Sequence, residues 1–165
     1  MAGIVLKNGT VLAGAAKEAD DSILKFQPIG QPAMALNTMK VARVQFRSMS
    51  PQLAARIGSS VPGVLLANGD FIEGEFKGLM KGRVKISSVI FGIRTYGIAS
   101  EAAAVVLRPF QKTATFIVRI NTGSALFADK LDSQNGQLVL SEPLLGNMRL
   151  SARELLDVRR VSLAK

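Results

Sequence analysis

The sequence contains no cysteine, no histidine and no tryptophan, and only one tyrosine. Those absences exclude an imidazole-based triad, a thiol nucleophile, a disulfide framework and the usual zinc sites. Acidic residues are scarce beside basic ones: 12 Asp and Glu against 21 Lys and Arg give a net charge of +9 over 165 residues. No apolar run approaches the roughly 18–20 residues that a membrane-spanning helix needs. The first residues carry Lys7 and Asn8-Gly9 where a secretory leader would be continuously apolar, so no leader is expected there. A hydrophobic content of 48% separates the chain from disordered basic tails. What remains is a folded, basic protein with few reactive side chains.

What is present is a repeat. Val5-Leu6-Lys7-Asn8-Gly9 is followed five residues on by Gly14, and Leu65-Leu66-Ala67-Asn68-Gly69 is followed at the same spacing by Gly74. Arg119-Ile120-Asn121-Thr122-Gly123 follows the pattern with Ala128 in the later position. Asn-Gly between alternating apolar runs predicts hairpins, through type I′ turns. A glycine inside the next strand predicts a bend or bulge.

Alternating strands recur at Ile23–Phe26, Val84–Ile86 and Leu138–Leu140, and each segment closes on one apolar spacing: Leu36, Val41, Val44; Ile98, Ala103, Val106; Leu150, Leu155, Val158. The expectation is an all-β chain of three tandem five-stranded small barrels, at 1–46, 63–107 and 116–165, with linkers at 47–62 and 108–115. In the first linker Ser50 suits an N-cap, Pro51 the first helical position and Gly58 the stop, which predicts a two-turn helix.

The apolar-x-Asn-Gly turns, bent glycine strands and closing strand pairs resemble the Sm-like (SH3-like) small barrel. Val64–Gly74 and Pro143–Leu150 carry a closer likeness to tandem Sm-like modules of large bacterial extracytoplasmic proteins. That resemblance implies a structural or interaction role and an extracytoplasmic or cell-surface location. RNA-binding Sm proteins would add an Asp with a nearby base-contacting Asn and an Arg-Gly turn before the last strand. Neither is found at Asp20–Lys25, Lys81–Arg83 or Asn135–Gln137, nor at Asn37–Lys40, Ala99–Ala102 or Ser151–Glu154, so no RNA site carries over.

The positive charge is spread along the chain, with no segment exceeding +2. The densest cationic stretch is Lys77, Lys81, Arg83 and Lys85, with Arg159-Arg160 a second pair. Alternation of Arg83 and Lys85 with Val84 and Ile86 predicts one outward, solvated face. As the alternative, these six residues are the candidates for binding RNA or another polyanion, through a basic Sm-like surface. Phe26, Phe46, Phe71 and Phe76 sit at alternating positions suited to cores, which argues against ring-stacking ligands. Asp20-Asp21 and the Asp129/Asp132 pair lie near turns and read as caps. No phosphate loop, dinucleotide fingerprint or nucleophile elbow occurs. The sequence therefore predicts a non-catalytic module without cofactor or metal, self-associating through edge strands into a ring or fibre or presenting a surface to other modules.

Overall fold

Glycine turns and alternating apolar residues fold into seventeen strands and one turn of α-helix, in a computed structural model that describes residues 1–57 and 61–161. The all-β expectation holds for the described residues, and the strands form curled antiparallel sheets. Strands β1 (Gly3–Leu6), β2 (Val11–Ala19), β3 (Ile23–Pro28), β4 (Met34–Asn37) and β5 (Val41–Gln45) pair in the order β5-β1-β2-β3-β4. Then follow α1 (Pro51–Ala54), β6 (Gly63–Leu66), β7 (Phe71–Glu73), β8 (Glu75–Met80), β9 (Arg83–Ser88), β10 (Gly92–Gly97) and β11 (Ala102–Val106). Their pairing runs β11-β6-β7 and β8-β9-β10, so β7 and β8 together take the place of β2. The last strands are β12 (Phe116–Ile120), β13 (Ala125–Ala128), β14 (Lys130–Gln134), β15 (Gln137–Glu142), β16 (Gly146–Ser151) and β17 (Leu155–Arg160). They pair as β17-β12-β13 and β14-β15-β16. One strand order thus recurs three times.

The three Gly turns differ from the expected type. Gly9, Gly69 and Gly123 have φ of 98°, 99° and 95°, while the residue before each is not left-handed. The Gly9 N–H donates to the Leu6 carbonyl at 2.9 Å, and the Leu6 N–H to the Thr10 carbonyl at 2.8 Å. The same two bonds recur at Leu66, Gly69 and Asp70 and at Ile120, Gly123 and Ser124. These are three-residue loops closed by a bulge glycine rather than type I′ turns. An Asn side chain explains the choice at the first two: Asn8 Oδ1 and Asn68 Oδ1 accept from the N–H two residues on, at 3.1 and 3.0 Å, so Asn stays right-handed. Type I′ geometry occurs instead at Lys81-Gly82 and Asn135-Gly136, where both residues have positive φ.

The bend glycines behave as expected with one difference. At Gly14, with φ 153°, a Cβ would collide with the Gln27 carbonyl and sit 2.8 Å from Phe26 Cζ. The strand nevertheless runs through Gly14, whereas the second segment breaks at Gly74 and the third at Asp129, one residue beyond Ala128. In the second segment the closing register also falls one residue early. Ile4, Val64 and Val118, each five residues before its turn glycine, face Val44, Val105 and Val158. Val105, not Val106, is therefore the equivalent of Val44 and Val158.

Ser50 caps α1 as predicted, its Oγ accepting from the Leu53 N–H at 3.1 Å with Pro51 in the first turn. The helix ends at Ala54 and is shorter than the two turns expected, because no residue in it is buried to hold a second turn. The predicted stop, Gly58, lies outside the described residues.

Leu24 and Phe26 on β3, and Val84 and Ile86 on β9, are buried while Lys25, Gln27 and Lys85 between or beside them are exposed. All five residues of β11 are buried, so both of its faces are covered, and it pairs on both sides, with β6 and β5. Inter-segment pairings fuse the segments into one fourteen-stranded path through β10-β9-β8-β2-β1-β5-β11-β6-β7, with β3, β4, β12, β13 and β17 branching from it. Strands β14, β15 and β16 form a separate three-stranded sheet.

Candidate functional site

Lys77, Lys81, Arg83 and Lys85 lie along the β8–β9 hairpin and are all exposed, Arg83 and Lys85 as their alternation implies. Their charge is partly spoken for. Lys77 Nζ is 3.1 Å from Glu75 Oε2, and the Arg83 guanidinium donates to Thr95 Oγ1 at 3.2 and 3.4 Å. Arg159 and Arg160 are also exposed but lie on β17, which shares no pairing with β8 or β9. The fold therefore leaves the six candidate cations as two separate groups on different segments. Exposed, mixed-sign side chains of this kind are what a solvated sheet face requires.

Of the acidic pairs, Asp20 serves its turn as expected, whereas Asp132 lies within strand β14 and caps no turn. Asp20 Oδ1 accepts from the Ser22 and Ile23 N–H groups, both at 2.7 Å, and these bonds hold its carboxyl below the usual range. Asp132 Oδ1 accepts from the Ser133 N–H at 2.8 Å. No cluster of three acidic residues able to hold a metal occurs among the described residues. Phe26 is buried, and Phe46, Phe76 and Tyr96 pack against the core.

The informative geometry lies where segments meet. Strand β5 pairs antiparallel with β11 in the register Arg43↔Val106, Val44↔Val105 and Gln45↔Ala104. Since Val44 and Val105 are equivalent, the two segments meet about a local pseudo-two-fold axis through that pair. Beyond the register the ladder continues, with Phe46 N–H donating to the Ala103 carbonyl at 2.9 Å and Leu107 N–H to the Ala42 carbonyl at 2.8 Å. Edge pairing here buries Ala42, Val44, Ala103 and Val105 almost completely. On the opposite side Ala19 of β2 faces Leu79 of β8.

The first and third segments meet differently, around a side chain that sequence reasoning missed. Glu142 is fully buried at the end of β15. Its Oε2 accepts from the Leu144 and Leu145 N–H groups at 2.8 and 2.5 Å, capping the β15–β16 turn. Its Oε1 accepts from Asn8 Nδ2 and from Thr10 Oγ1, the latter at 3.2 Å. Thr10 Oγ1 in turn accepts from the Phe127 N–H at 2.9 Å, Ser124 Oγ accepts from the Ala13 N–H at 2.8 Å, and Val11 faces Ala125. All four partners of Glu142 donate, as the acceptor-only oxygens of a carboxylate require. A signal was available: Leu138, Leu140 and Glu142 alternate on one face of β15, so Glu142 points where two leucines point. In the second segment the equivalent residue, Ser88, caps its turn alone, with its Oγ 3.3 Å from the Ile90 and Phe91 N–H groups. That turn projects Val89, Ile90 and Phe91 into solvent.

Open edges remain. Among the described residues β4 pairs only with β3, β10 only with β9, β16 only with β15 and β17 only with β12. On β17, Leu156 and Val158 are 61% and 39% exposed, whereas Val44 and Val105 at the equivalent of Val158 are 1% and 0% exposed. The inner side of β17 is fixed by Asp157, whose Oδ2 accepts from Arg119 Nε at 2.9 Å and Nη2 at 2.5 Å. The Arg119 hydrogen bond holds the Asp157 carboxyl below its usual range. Its Oδ1 is shielded from solvent and has no hydrogen-bond partner among the described residues.

No protein-family model, curated protein or solved structure matches this chain.

Proposed function

We propose that the chain is a non-catalytic assembly module: three tandem Sm-like small barrels whose edge strands pair with further copies or with neighbouring modules. The observation that carries this reading is the β5–β11 pairing, in which two equivalent edge strands join into one continuous sheet. An edge strand that pairs inside the chain has the backbone geometry and apolar residues to do so between chains. The recurring strand order supports the repeat, and the outer sides of β4, β10, β16 and β17, unpaired among the described residues, supply the surfaces. The side chains fit this role better than chemistry, since Asp20 caps its turn and the buried Glu142 is saturated by hydrogen bonds.

Light scattering across a concentration series tests the proposal. Self-association by about 100 μM supports it, in the range expected of modest interfaces. A mass that stays at that of one chain throughout overturns assembly with copies of itself.

A further inference from the structure

We infer that β17 is the self-association edge, and that two copies of the chain pair β17 against β17 about a two-fold axis through Val158. This rests on the edge-assembly reading and assigns it one strand, one partner and one register. The template is inside the molecule. Strands β5 and β11 are the equivalents of β17 in the other two segments, and they pair with each other about the Val44/Val105 position. Among the described residues the closing strand of the third segment pairs on one side alone, with β12.

Transferring the β5–β11 register to two copies of β17 places Val158 opposite the partner's Val158, because Val158 is the equivalent of Val44 and Val105. Each Asp157 then stands opposite the partner's Arg159, and each Arg159 opposite the partner's Asp157. An antiparallel pair of opposite charges on each side of the axis is self-complementary, as an isologous interface demands. Neither counterpart has this feature: Arg43 faces Val106 and Gln45 faces Ala104. Asp157 Oδ1, which lacks a partner among the described residues, gains a candidate donor.

The backbone is aligned for the same pairing. Val161 N–H donates to the Thr115 carbonyl at 2.8 Å, so residues 157, 159 and 161 turn their backbone groups towards β12. The N–H and C=O of Val158 and Arg160 therefore face the open side. In the template Val44 and Val105 have that same parity, set by the flanking Phe46 and Leu107 hydrogen bonds. Exposed Leu156 and Val158 would become covered, as Ala42 and Val44 are on β5.

The test is sedimentation equilibrium of the full chain and three variants, each checked for folding by circular dichroism. Val158→Pro removes an N–H that points away from β12, a placement an edge strand tolerates. It should raise the dimer dissociation constant at least about tenfold, by deleting two interchain donors. Arg159→Glu and Asp157→Arg should each lose the homodimer through like-charge contacts, while an equimolar mixture of the two regains a one-to-one dimer. Homodimers in V158P as tight as the wild type, or folded charge variants whose mixture stays monomeric, overturn the β17 pairing. If the wild type still associates in that case, assembly through another edge survives. A wild type that is monomeric throughout overturns both.

Discussion

Replacing Glu142 is the sharpest perturbation the fold offers. Its carboxylate accepts four hydrogen bonds in a fully buried position, two within its own turn and two from Asn8 and Thr10 of the first segment. Glu142→Gln preserves volume but has one acceptor oxygen. If that oxygen keeps the Leu144 and Leu145 N–H groups, the new NH2 is pressed against the Asn8 NH2. Asn8 cannot turn over without losing the bond from Thr10 N–H to its Oδ1. Two hydrogen bonds to a charged acceptor are lost, each worth about 1.5–3 kcal/mol and not fully additive, so a loss of about 3–4 kcal/mol is expected. Glu142→Ala leaves all four donors buried without partners and should cost about 4–5 kcal/mol. For a chain of this size the glutamine variant should melt about 8–15 °C lower. Urea denaturation of wild type, E142Q, Asn8→Ala and the double variant measures the coupling, expected at about 1.5–3 kcal/mol. A glutamine variant within about 1 kcal/mol of wild type, or a coupling below about 0.5 kcal/mol, would refute the latch.

Two further outcomes follow from the same geometry. Gly14→Ala drives a Cβ into the Gln27 carbonyl at a φ of 153°, and should cost about 3 kcal/mol or more. Gly69→Ala, at φ 99° with nothing within 4 Å, should cost only about 1–2 kcal/mol, so equal losses in denaturant would contradict the close approach. Acid should also destabilise the fold. Asp157 and Asp20 both titrate below the ordinary 3.8 in the folded chain, so their contribution is complete above that value and disappears as pH falls through their lower folded values. Thermal melts between about pH 6 and 3 should show falling stability, with a shallower fall in Asp157→Asn; the same slope in the variant would argue against the Arg119 contact as its cause.

The strand content was legible in the sequence because each β-strand carries its own alternation and each hairpin its own glycine. Ile23–Phe26 and Val84–Ile86 bury every second residue, as the period of a half-buried strand dictates. Local turn type was less legible. Asn8-Gly9 reads as a two-residue turn, and only the bond from the Thr10 N–H to Asn8 Oδ1 selects the three-residue loop instead. The helix at Pro51 was correctly capped but overextended, since capping signals start a helix and only burial sustains it. Arg83 and Lys85 are outward as their alternation implies, yet spacing alone could not show that β17 shares no pairing with the β8–β9 hairpin.

What sequence could not supply was partnership between equivalent positions. Val44, Val105 and Val158 are one residue type at one place in one strand order, so the valines themselves do not tell their surroundings apart. The first two are buried where their strands pair with each other; the third is 39% exposed on a strand that, among the described residues, pairs on one side alone. The difference lies in neighbours rather than in the residue, and it appears only when strands more than sixty positions apart are set side by side. The residues flanking each valine do differ, however: Arg43 and Gln45, Ala104 and Val106, but Asp157 and Arg159. An edge bordered by one acid and one base cannot match an edge like β5, yet it matches its own two-fold image. That asymmetry is why the third segment's free strand points to a second copy of this chain rather than to an indiscriminate sheet edge.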